Sequence, residues 1–297
     1  MTKPPLVSVI CLCYNQKDFV AQAIRSVLAQ TYQNIELIVV DDASTDGSKE
    51  VIRETLKDTN IQFIDIDENV GNCKAFNQGY RLSKGEYLID LAADDLLLPA
   101  RVELGINDFS NAPELAGVHF SDAFIINEAG EMLNTHYNRT PDGQISESVP
   151  QGNIYQELIA RYFICPPTMM FKRKVLDRLH GYDETLSYED FDFWIRSSRD
   201  FHYLFSQAPL VKKRIVKSSL SQQQTKLRNK HLQSTFHVCE KIYELNTTKD
   251  EDKALIRRCE LEIRQCLKTL NFSLINSYLR LRKKTQRRLS SSSSIDK

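Results

Sequence analysis

The sequence lacks the segments and motifs that mark several large protein classes. It contains no run of about eighteen apolar residues, so it predicts no membrane-spanning helix. Residues 1–5 do not have the form of a signal peptide, and the apolar run after them is short and typical of a strand. Neither G-x-G-x-x-G nor G-x-x-x-x-G-K-[ST] occurs, which argues against a dehydrogenase and against a P-loop nucleotidase.

The seven cysteines form no pattern typical of a metal site or of disulfides. Their number is odd and no C-x-x-C is present. Cys11 and Cys13 would share one face of a strand, and Cys259 and Cys266 would share one face of a helix. We therefore expect small buried packing residues in a reduced, cytoplasmic protein.

Charge is balanced over the whole chain but not along it. The formal net charge is zero. Residues 222–297 carry 17 Lys and Arg against 8 Asp and Glu, a balance of +9, so the preceding residues carry −9. An acidic body with a basic C-terminal part predicts an interaction surface in that part.

Short apolar runs alternate with helical patterns through the first hundred residues. Strands are predicted at residues 7–13, 35–40, 61–66 and 86–91, and helices at 18–30, at 49–56, after Gly71 and from Pro99. This alternation predicts an α/β fold with a parallel sheet and right-handed crossovers.

The second half is less regular. Short strands are predicted at residues 117–120, 123–126, 168–171 and 202–210, and a polar, turn-rich loop at 134–153. From about residue 222 the pattern becomes helical. We expect an α/β domain at 1–215, a helical C-terminal region at 216–290 and a disordered tail at 291–297.

Paired acids follow two of the predicted strands. Asp41 and Asp42 end the second strand, and Asp94 and Asp95 follow the fourth. Carboxyl ends of parallel strands meet at one edge of the sheet, where α/β folds bind ligands. Such acids suit a hard divalent cation that also holds phosphate oxygens. Turn and helix-capping chemistry explains residues 44–47, but it does not explain a doubled acid after a buried strand.

A third acidic pair, Glu189 and Asp190, opens an amphipathic helix. The helix dipole favours the charged form of a carboxylate at this position, which leaves it ready to accept a proton from a substrate hydroxyl. Taken alone, the pair is better explained as helix-start acids without any catalytic role.

Taken in order, the motifs resemble those of a known family. The segments are VSVICLCYN at 7–15, VVDDASTDGS at 39–48, NVGNCKAFN at 69–77 through KGEY at 84–87, ADD at 93–95 with Pro99, GYDE at 181–184, and ED at 189–190. This ordered set closely resembles the family 2 glycosyltransferases, which have the GT-A fold, a Rossmann-like, mostly parallel sheet flanked by helices. The resemblance covers residues 5–200, about two-thirds of the chain.

The resemblance implies a set of site residues. The nucleotide would be held by Tyr14, Asn15 and Asp42, with Lys74 and Asn77 lining the same side of the cleft. A metal ion, Mn²⁺ or Mg²⁺, would be held by Asp94, with Asp95 beside it. The catalytic base would be Asp190, with Glu189 beside it.

The resemblance also implies an activity. A sugar would pass with inversion from a nucleotide-sugar donor, UDP-linked by first expectation, to a hydroxyl of a glycan or lipid-linked acceptor in surface polysaccharide or glycolipid synthesis. The chain departs from the family pattern at Ala92, where the D-x-D motif opens with an acid, and at Leu12-Cys13, where Pro-Thr is usual. The sequence predicts the enzyme; Ala92 is the feature that supports the alternative, a non-catalytic nucleotide-sugar-binding or scaffolding protein of the same fold.

The basic cluster at residues 280–288 allows two interpretations. Apolar residues interleave with its Lys and Arg, which favours a helix on an anionic membrane surface over a nucleic-acid-binding arm. A solvated helix end whose basic residues oppose the dipole is equally compatible. No nucleic-acid partner is expected, and peripheral contact with the inner face of the membrane stays open.

Overall fold

The protein is described here by a computed structural model covering residues 3–216 and 231–292. Its Cα positions group into two compact units. The first unit comprises residues 1–152, 164–185 and 200–216, and the second comprises 153–163, 186–199 and 217–297. The segments 153–163 and 186–199, which the sequence places in the α/β domain, thus belong to the unit that contains the C-terminal helices.

The first unit is built on a mixed sheet. Its strands are β1 (Val7–Cys13), β2 (Ile35–Asp42), β3 (Gln62–Ile66), β4 (Tyr87–Ala92), β5 (Leu96–Leu97), β6 (Ala116–Ile126), β7 (Met132–Thr135), β8 (Met170–Lys172) and β9 (His202–Arg214). Its helices are α1 (Val20–Leu28), α2 (Ser48–Thr55), α3 (Asn72–Leu82), α4 (Arg101–Ser110) and α6 (Arg173–Leu179). Helix α5 belongs to the second unit.

The sheet confirms the predicted parallel core and then departs from it. Strand order is β3-β2-β1-β4-β8-β6-β9-β5, with β7 paired to β6. The first four of these strands are parallel, as the alternation of strands and helices predicts. Strand β8 runs antiparallel to β4 and β6, whereas β6 and β9 are parallel to each other. Strands β1 and β2 are covered on both faces, which accounts for their continuous apolar runs.

The predicted strands 117–120 and 123–126 form one continuous strand, β6. The sequence pattern breaks at Asp122, which is nevertheless fully buried. Its charge is tolerated because the guanidinium of Arg139 lies 2.6 Å from the carboxylate, and because the backbone N–H groups of Ala123 and Tyr137 also donate to it. The same arginine donates to the carbonyl of Gln207 and so tethers the polar segment predicted as a loop at 134–153.

The second unit contains helices α5 (Tyr155–Ala160), α7 (Asp190–Ser197), α8 (His231–Leu245), α9 (Lys249–Lys268) and α10 (Phe272–Ser292). A capping box starts α9. The side chain of Thr248 accepts a hydrogen bond from the backbone N–H of Glu251, and the Glu251 carboxylate accepts one from the backbone N–H of Thr248. None of the described helices is long and apolar enough to cross a membrane. All seven cysteines are buried, as predicted.

Candidate active site

The carboxyl ends of β1, β2 and β4 carry most of the predicted site residues. Strand β1 lies between β2 and β4, with Cys13 level with Asp41 and Leu12 level with Ala92. Because neighbouring strands are spaced about 4.8 Å apart, the ends of β2 and β4 are separated by about 10 Å. The nucleotide and metal residues predicted after these strands therefore share one edge of the first unit.

Asp42 is buried and holds the loop that leads into α3. Its two carboxylate oxygens accept hydrogen bonds from the backbone N–H groups of Val70 at 2.7 Å and Gly71 at 2.9 Å. The side-chain amide of Asn69 donates to the Asp42 carbonyl at 3.1 Å. Each carboxylate oxygen has two lone pairs, so Asp42 keeps acceptor capacity for a ligand while it fixes the loop.

The loop after β1 is fixed by side chains of the turn after β2. Asn15 has a left-handed backbone with φ of 54°, and its N–H donates to the hydroxyl of Ser44 at 2.8 Å. Its side-chain carbonyl accepts from the N–H of Thr45 at 2.8 Å. The carboxylate of Asp46 accepts from the N–H of Lys17 at 3.0 Å. Residues 44–48 thus do more than cap α2: they hold the neighbouring loop in place.

Tyr14 projects from this fixed loop. Half of its surface is exposed, at 50%. An aromatic face held on a fixed backbone at the edge of a sheet can stack on a nucleobase. The left-handed backbone of Asn15 helps to set the position of the neighbouring Tyr14.

The two acids after β4 differ in their surroundings. Asp95 is buried, and one oxygen of its carboxylate accepts from the backbone N–H of Arg214 at 2.7 Å. The Arg214 guanidinium donates to the Asp94 carbonyl at 3.0 Å and lies over the ring of Phe19. Apart from its own backbone N–H, no residue within 3–216 or 231–292 donates a hydrogen bond to the Asp94 carboxylate. Asp95 is thus a structural anchor, and Asp94 has its oxygens available.

Electrostatics at Asp94 and Asp95 favour a bound cation. Burial raises the pKa of the Asp94 carboxyl, and burial together with the charge of Asp94 raises the pKa of Asp95. A divalent cation would offset this desolvation cost and hold Asp94 in its charged form.

The donor set fits Mg²⁺ or Mn²⁺ only in part. In the described residues, no three His, Cys, Asp or Glu side chains are arranged to hold a metal on their own. Mg²⁺ commonly binds through one or two carboxylates together with waters and substrate phosphates. Asp94 therefore suits an ion that arrives with a diphosphate. Ala92, exposed at the end of β4, supplies no second carboxylate.

Lys74 and Asn77 lie on α3 in contrasting environments. Lys74 is exposed, and no ion pair joins it to the described part of the chain, so its ammonium group is available to an anion. Asn77 is buried, and its amide is occupied by the 181–184 segment. Its Nδ2 donates to the Tyr182 carbonyl at 2.9 Å and to the Glu184 carboxylate at 3.0 Å, while its Oδ1 accepts from the Tyr182 N–H at 2.9 Å. Contact between Asn77 and a nucleotide stays a prediction.

The second unit holds Glu189 and Asp190 at the start of α7. Glu189 is the N-cap residue, and Asp190 and Asp192 are the acids of the first turn. Both Glu189 and Asp190 are partly exposed. An acid in this position benefits from the positive end of the helix dipole.

Helix α8 fixes the segment around Asp190. The hydroxyl of Ser234 accepts from the Ser187 N–H at 3.0 Å, and the hydroxyls of Tyr188 and Thr235 are hydrogen-bonded. Lys241 Nζ lies 2.6 Å from the carboxylate of Asp192, which is 1% exposed. These contacts lie on both sides of Asp190 and hold the start of α7.

Residues 8–179 match the sequence profile described as glycosyl transferase family 2. The chain belongs to this family. It is 30% identical to an uncharacterised glycosyltransferase of Methanocaldococcus jannaschii over 220 residues, covering 71% of each chain. It is 33% identical to an uncharacterised glycosyltransferase of Rickettsia typhi over 218 residues, covering 72% of this chain and 65% of that protein. The chondroitin synthase of Escherichia coli is 28% identical over 201 residues, 67% of this chain but only 27% of the synthase.

Solved structures confirm that this family 2 chain has the GT-A fold with C-terminal helices. S. aureus TarS 1-349, in complex with UDP-GlcNAc, superposes with a TM-score of 0.68 at 14% identity, covering 98% of this chain and 92% of the TarS 1-349 chain. The mannosyltransferase PcManGT of Pyrobaculum calidifontis, in complex with GDP-Man and Mn²⁺, gives a TM-score of 0.60 at 16% identity, covering 97% and 84%.

Several supporting residues of this family 2 site carry no signal in the sequence. Arg214 lies 119 residues from its partner Asp95, and Lys241 lies 49 residues from Asp192. Each stands in a stretch whose local pattern indicates only an ordinary strand or helix. A buried acid such as Asp192 requires a cationic partner, but the sequence does not identify which residue provides it.

Proposed function

We propose that the protein is an inverting glycosyltransferase that moves a sugar from a nucleotide-sugar donor, with UDP-sugars as the first candidates, to a hydroxyl acceptor. One observation carries most of the weight. In a chain of glycosyl transferase family 2, the exposed ring of Tyr14, the carboxylate of Asp42 and the available carboxylate of Asp94 follow three adjacent strands at a single sheet edge.

Different residues at that edge would bind the base, the ribose and the diphosphate of the donor. Tyr14 would stack on the base, and the spare lone pairs of Asp42 would accept from a base N–H or a ribose hydroxyl. The exposed ammonium of Lys74 would offset diphosphate charge. The complexes of TarS with UDP-GlcNAc and of PcManGT with GDP-Man support a nucleotide-sugar as the donor class.

A divalent cation would be held on Asp94, with waters and diphosphate oxygens at its other positions. When bound, it supplies a positive charge that stabilises the departing nucleoside diphosphate. Mn²⁺ in the PcManGT complex supports this choice of metal. Asp95 would act indirectly, since its bond to Arg214 fixes the turn that carries Asp94.

The chemistry asked of the chain is mainly proton transfer and positioning. Asp190 would accept the proton of the acceptor hydroxyl as the acceptor oxygen forms a bond to the anomeric carbon. The bond from that carbon to the diphosphate oxygen breaks on the opposite face, so the configuration inverts. Glu189 would orient the acceptor beside Asp190, and α8 would keep the start of α7 in place.

The acceptor is proposed to be a growing polysaccharide or a lipid-linked glycan, and the protein is proposed to act in the cytoplasm. Similarity to chondroitin synthase supports a polysaccharide acceptor. The assignment of pathway rests on this analogy, because one fold serves many acceptors.

A screen of UDP-sugars with Mn²⁺ tests the proposal. Release of UDP in the presence of a donor, increased by a glycan acceptor, is the expected result. The second candidate function, a non-catalytic sugar-nucleotide binder, is favoured by the exposed Ala92 in place of an acid. It predicts a raised melting temperature with donor, by mass action, and no UDP release with any acceptor.

A further inference from the structure

Helices α9 and α10 of the second unit form a hairpin closed by the turn at residues 269–271. One stripe of α10 is buried against the rest of the unit, and consists of Leu274, Tyr278, Leu281 and Thr285. This i, i+4, i+7, i+11 spacing defines the inner face of α10, and therefore also its outward face.

The outward faces carry basic residues without acidic partners. Between residues 253 and 292 the only acids are Glu260 and Glu262, and each is paired with an arginine, Arg282 at 3.1 Å and Arg258 at 3.3 Å. Six outward-facing basic residues form no ion pair with any residue of the described ranges: Arg257, Arg264, Lys268, Arg280, Lys283 and Arg287.

This distribution divides the basic cluster at 280–288 into two groups. Arg282, Lys284 and Arg288 pair with Glu260, Glu244 and Asp252, although Lys284 is itself exposed. Arg280, Lys283 and Arg287 form a separate stripe at i, i+3, i+7 and face outward. Helix packing therefore explains only half of the cluster.

Large apolar side chains are exposed on the same hairpin. Five of the fourteen large exposed apolar residues of the described chain lie here. Three of them, Leu267, Leu270 and Phe272, border the turn and are 51%, 45% and 59% exposed. We call these three residues and the six basic residues the hairpin surface.

Leu270 shows that the turn is not optimised for folding alone. Helix α9 ends in a Schellman motif, with the N–H of Asn271 donating to the Cys266 carbonyl at 2.8 Å and that of Leu270 to the Leu267 carbonyl at 3.3 Å. Leu270 has φ of 56°, a conformation that glycine or asparagine adopts at lower cost. An exposed leucine here is costly in backbone conformation and in solvation.

We propose that the hairpin surface docks on an anionic lipid bilayer. The six basic residues complement phosphate head groups, and the three apolar residues at the turn enter the region between head groups and acyl chains. A solvated helix end would account for basic residues but not for a left-handed, exposed leucine beside an exposed phenylalanine. The proposal is independent of the catalytic assignment, because it concerns attachment alone.

Vesicle co-sedimentation of the full chain tests this docking. The protein is expected to sediment with vesicles of phosphatidylglycerol and phosphatidylcholine in equal parts, and to remain in the supernatant with phosphatidylcholine alone. Replacing Arg280, Lys283 and Arg287 by Glu should weaken binding by at least about a hundredfold, because the loss of each basic residue near an anionic surface costs about fivefold and the added negative charges repel the lipid. A control triple, Arg25→Glu, Lys57→Glu and Lys84→Glu, changes exposed basic residues of the first unit and should leave binding unchanged.

A second variant separates insertion from charge. Leu270→Asn with Phe272→Ser should weaken vesicle binding at least fivefold while keeping or raising the melting temperature, since Asn suits the left-handed position. Equal binding by wild type and both variants, or no binding to anionic vesicles, overturns the proposal. The proposal is also overturned if a nucleic-acid duplex competes with the vesicles and binds the Leu270/Phe272 variant as tightly as the wild type. It is likewise overturned if the wild type is a dimer and the Leu270/Phe272 variant is a monomer.

Discussion

The carboxylate of Asp95 accepts a hydrogen bond from the backbone N–H of Arg214 at 2.7 Å, and no other residue of the described chain donates to the neighbouring Asp94 carboxylate. Adjacent acids therefore have separable roles. Asp95 ties the turn after β4 to the end of β9, and Asp94 is left for a ligand. A mutation of Asp95 should therefore lower stability, and a mutation of Asp94 should lower activity.

Asp95→Ala should destabilise the protein by about 1–3 kcal/mol, because it leaves a buried backbone N–H without a partner. Asp94→Asn should leave stability unchanged or slightly raised, since burial disfavours the charged carboxylate. Urea denaturation of both variants measures this difference. Equal destabilisation by the two substitutions would contradict the division of roles.

Metal dependence provides the corresponding test of activity. EDTA should abolish sugar transfer by the wild type, and Mn²⁺ or Mg²⁺ should restore it. Asp94→Asn should lower kcat/KM by about a hundredfold and raise the Mn²⁺ concentration needed for half activity. Full activity of the wild type in chelator would refute the role assigned to Asp94.

Asp190→Asn should lower kcat by about 10²–10⁴-fold, because it removes the proposed proton acceptor while keeping the side-chain shape. Donor affinity, measured by thermal shift with a UDP-sugar and Mn²⁺, should be nearly unchanged. Asp250→Asn is the matched control, since Asp250 is also a first-turn acid but lies exposed on α9 and pairs with Lys253. Unchanged turnover in Asp190→Asn would end the assignment of the base.

Gly181→Ala should destabilise the first unit because of a specific contact. Gly181 has φ of 83°, and a Cβ there would lie 2.7 Å from Oδ1 of Asn77, whose amide is already committed to residues 182 and 184. Gly143 has the same φ of 83° but nothing within 4 Å of a Cβ. Gly143→Ala therefore reports the cost of the left-handed backbone alone, about 1 kcal/mol.

The difference between the two glycine variants isolates the contact with Asn77. We expect Gly181→Ala to be destabilised by at least about 1 kcal/mol more than Gly143→Ala, the order of one lost buried hydrogen bond. Equal unfolding free energies would mean that Asn77 is free to move away, and that it does not fix the 181–184 segment.

Sequence patterns predict the parallel half of the sheet well because its determinants are local. Strands β1, β2 and β4 are mainly apolar runs between turn residues, and the rule that parallel strands end at one edge places Asp42 and Asp94 near each other. The prediction fails where a distant partner changes the environment of a residue. Asp122 interrupts the apolar pattern of β6, yet Arg139 pairs with it and allows the strand to continue.

The start of α7, where the catalytic base is proposed, shows the same limit. The sequence gives Glu189 and Asp190 as helix-start acids, and the structure confirms the helix start. Its supports, Ser234, Thr235 and Lys241, belong to α8, and their contacts with residues 187–192 span about fifty positions of sequence. Pairings over such separations are set by tertiary packing, which periodicity does not report.

Lys241→Met should therefore affect catalysis from outside the proposed reacting groups. It removes one of the two cations that the described residues place at the buried carboxylate of Asp192, and it leaves Arg196 at 2.7 Å. We expect a loss of about 1–3 kcal/mol in unfolding free energy and a lower kcat, with KM for the donor unchanged. Lys253→Met, which breaks an exposed pair with Asp250, is the control and should change neither. A rise in KM with unchanged kcat would contradict a positioning role.

Stability should also fall in mild acid because of His119. Burial lowers the pKa of His119 to about 4, although its Nε2 lies 2.8 Å from the Asp108 carboxylate. The unfolded chain would bind the proton near the ordinary pKa of about 6.5, so it binds more protons than the folded protein between these values. Stability is therefore fully present above about pH 6.5 and declines as pH falls toward 4, by up to about 3 kcal/mol.

Two measurements test this effect: titration of the six histidines by NMR, and the free energy of unfolding at several pH values. His119 should remain neutral at pH 5, and His119→Gln should flatten the pH dependence of the unfolding free energy between pH 6.5 and pH 4.5. If the His119 ring titrates near pH 6.5 in the folded protein, its pKa is the same as in the unfolded chain. His119 would then make no contribution to the pH dependence of stability, which would contradict the prediction.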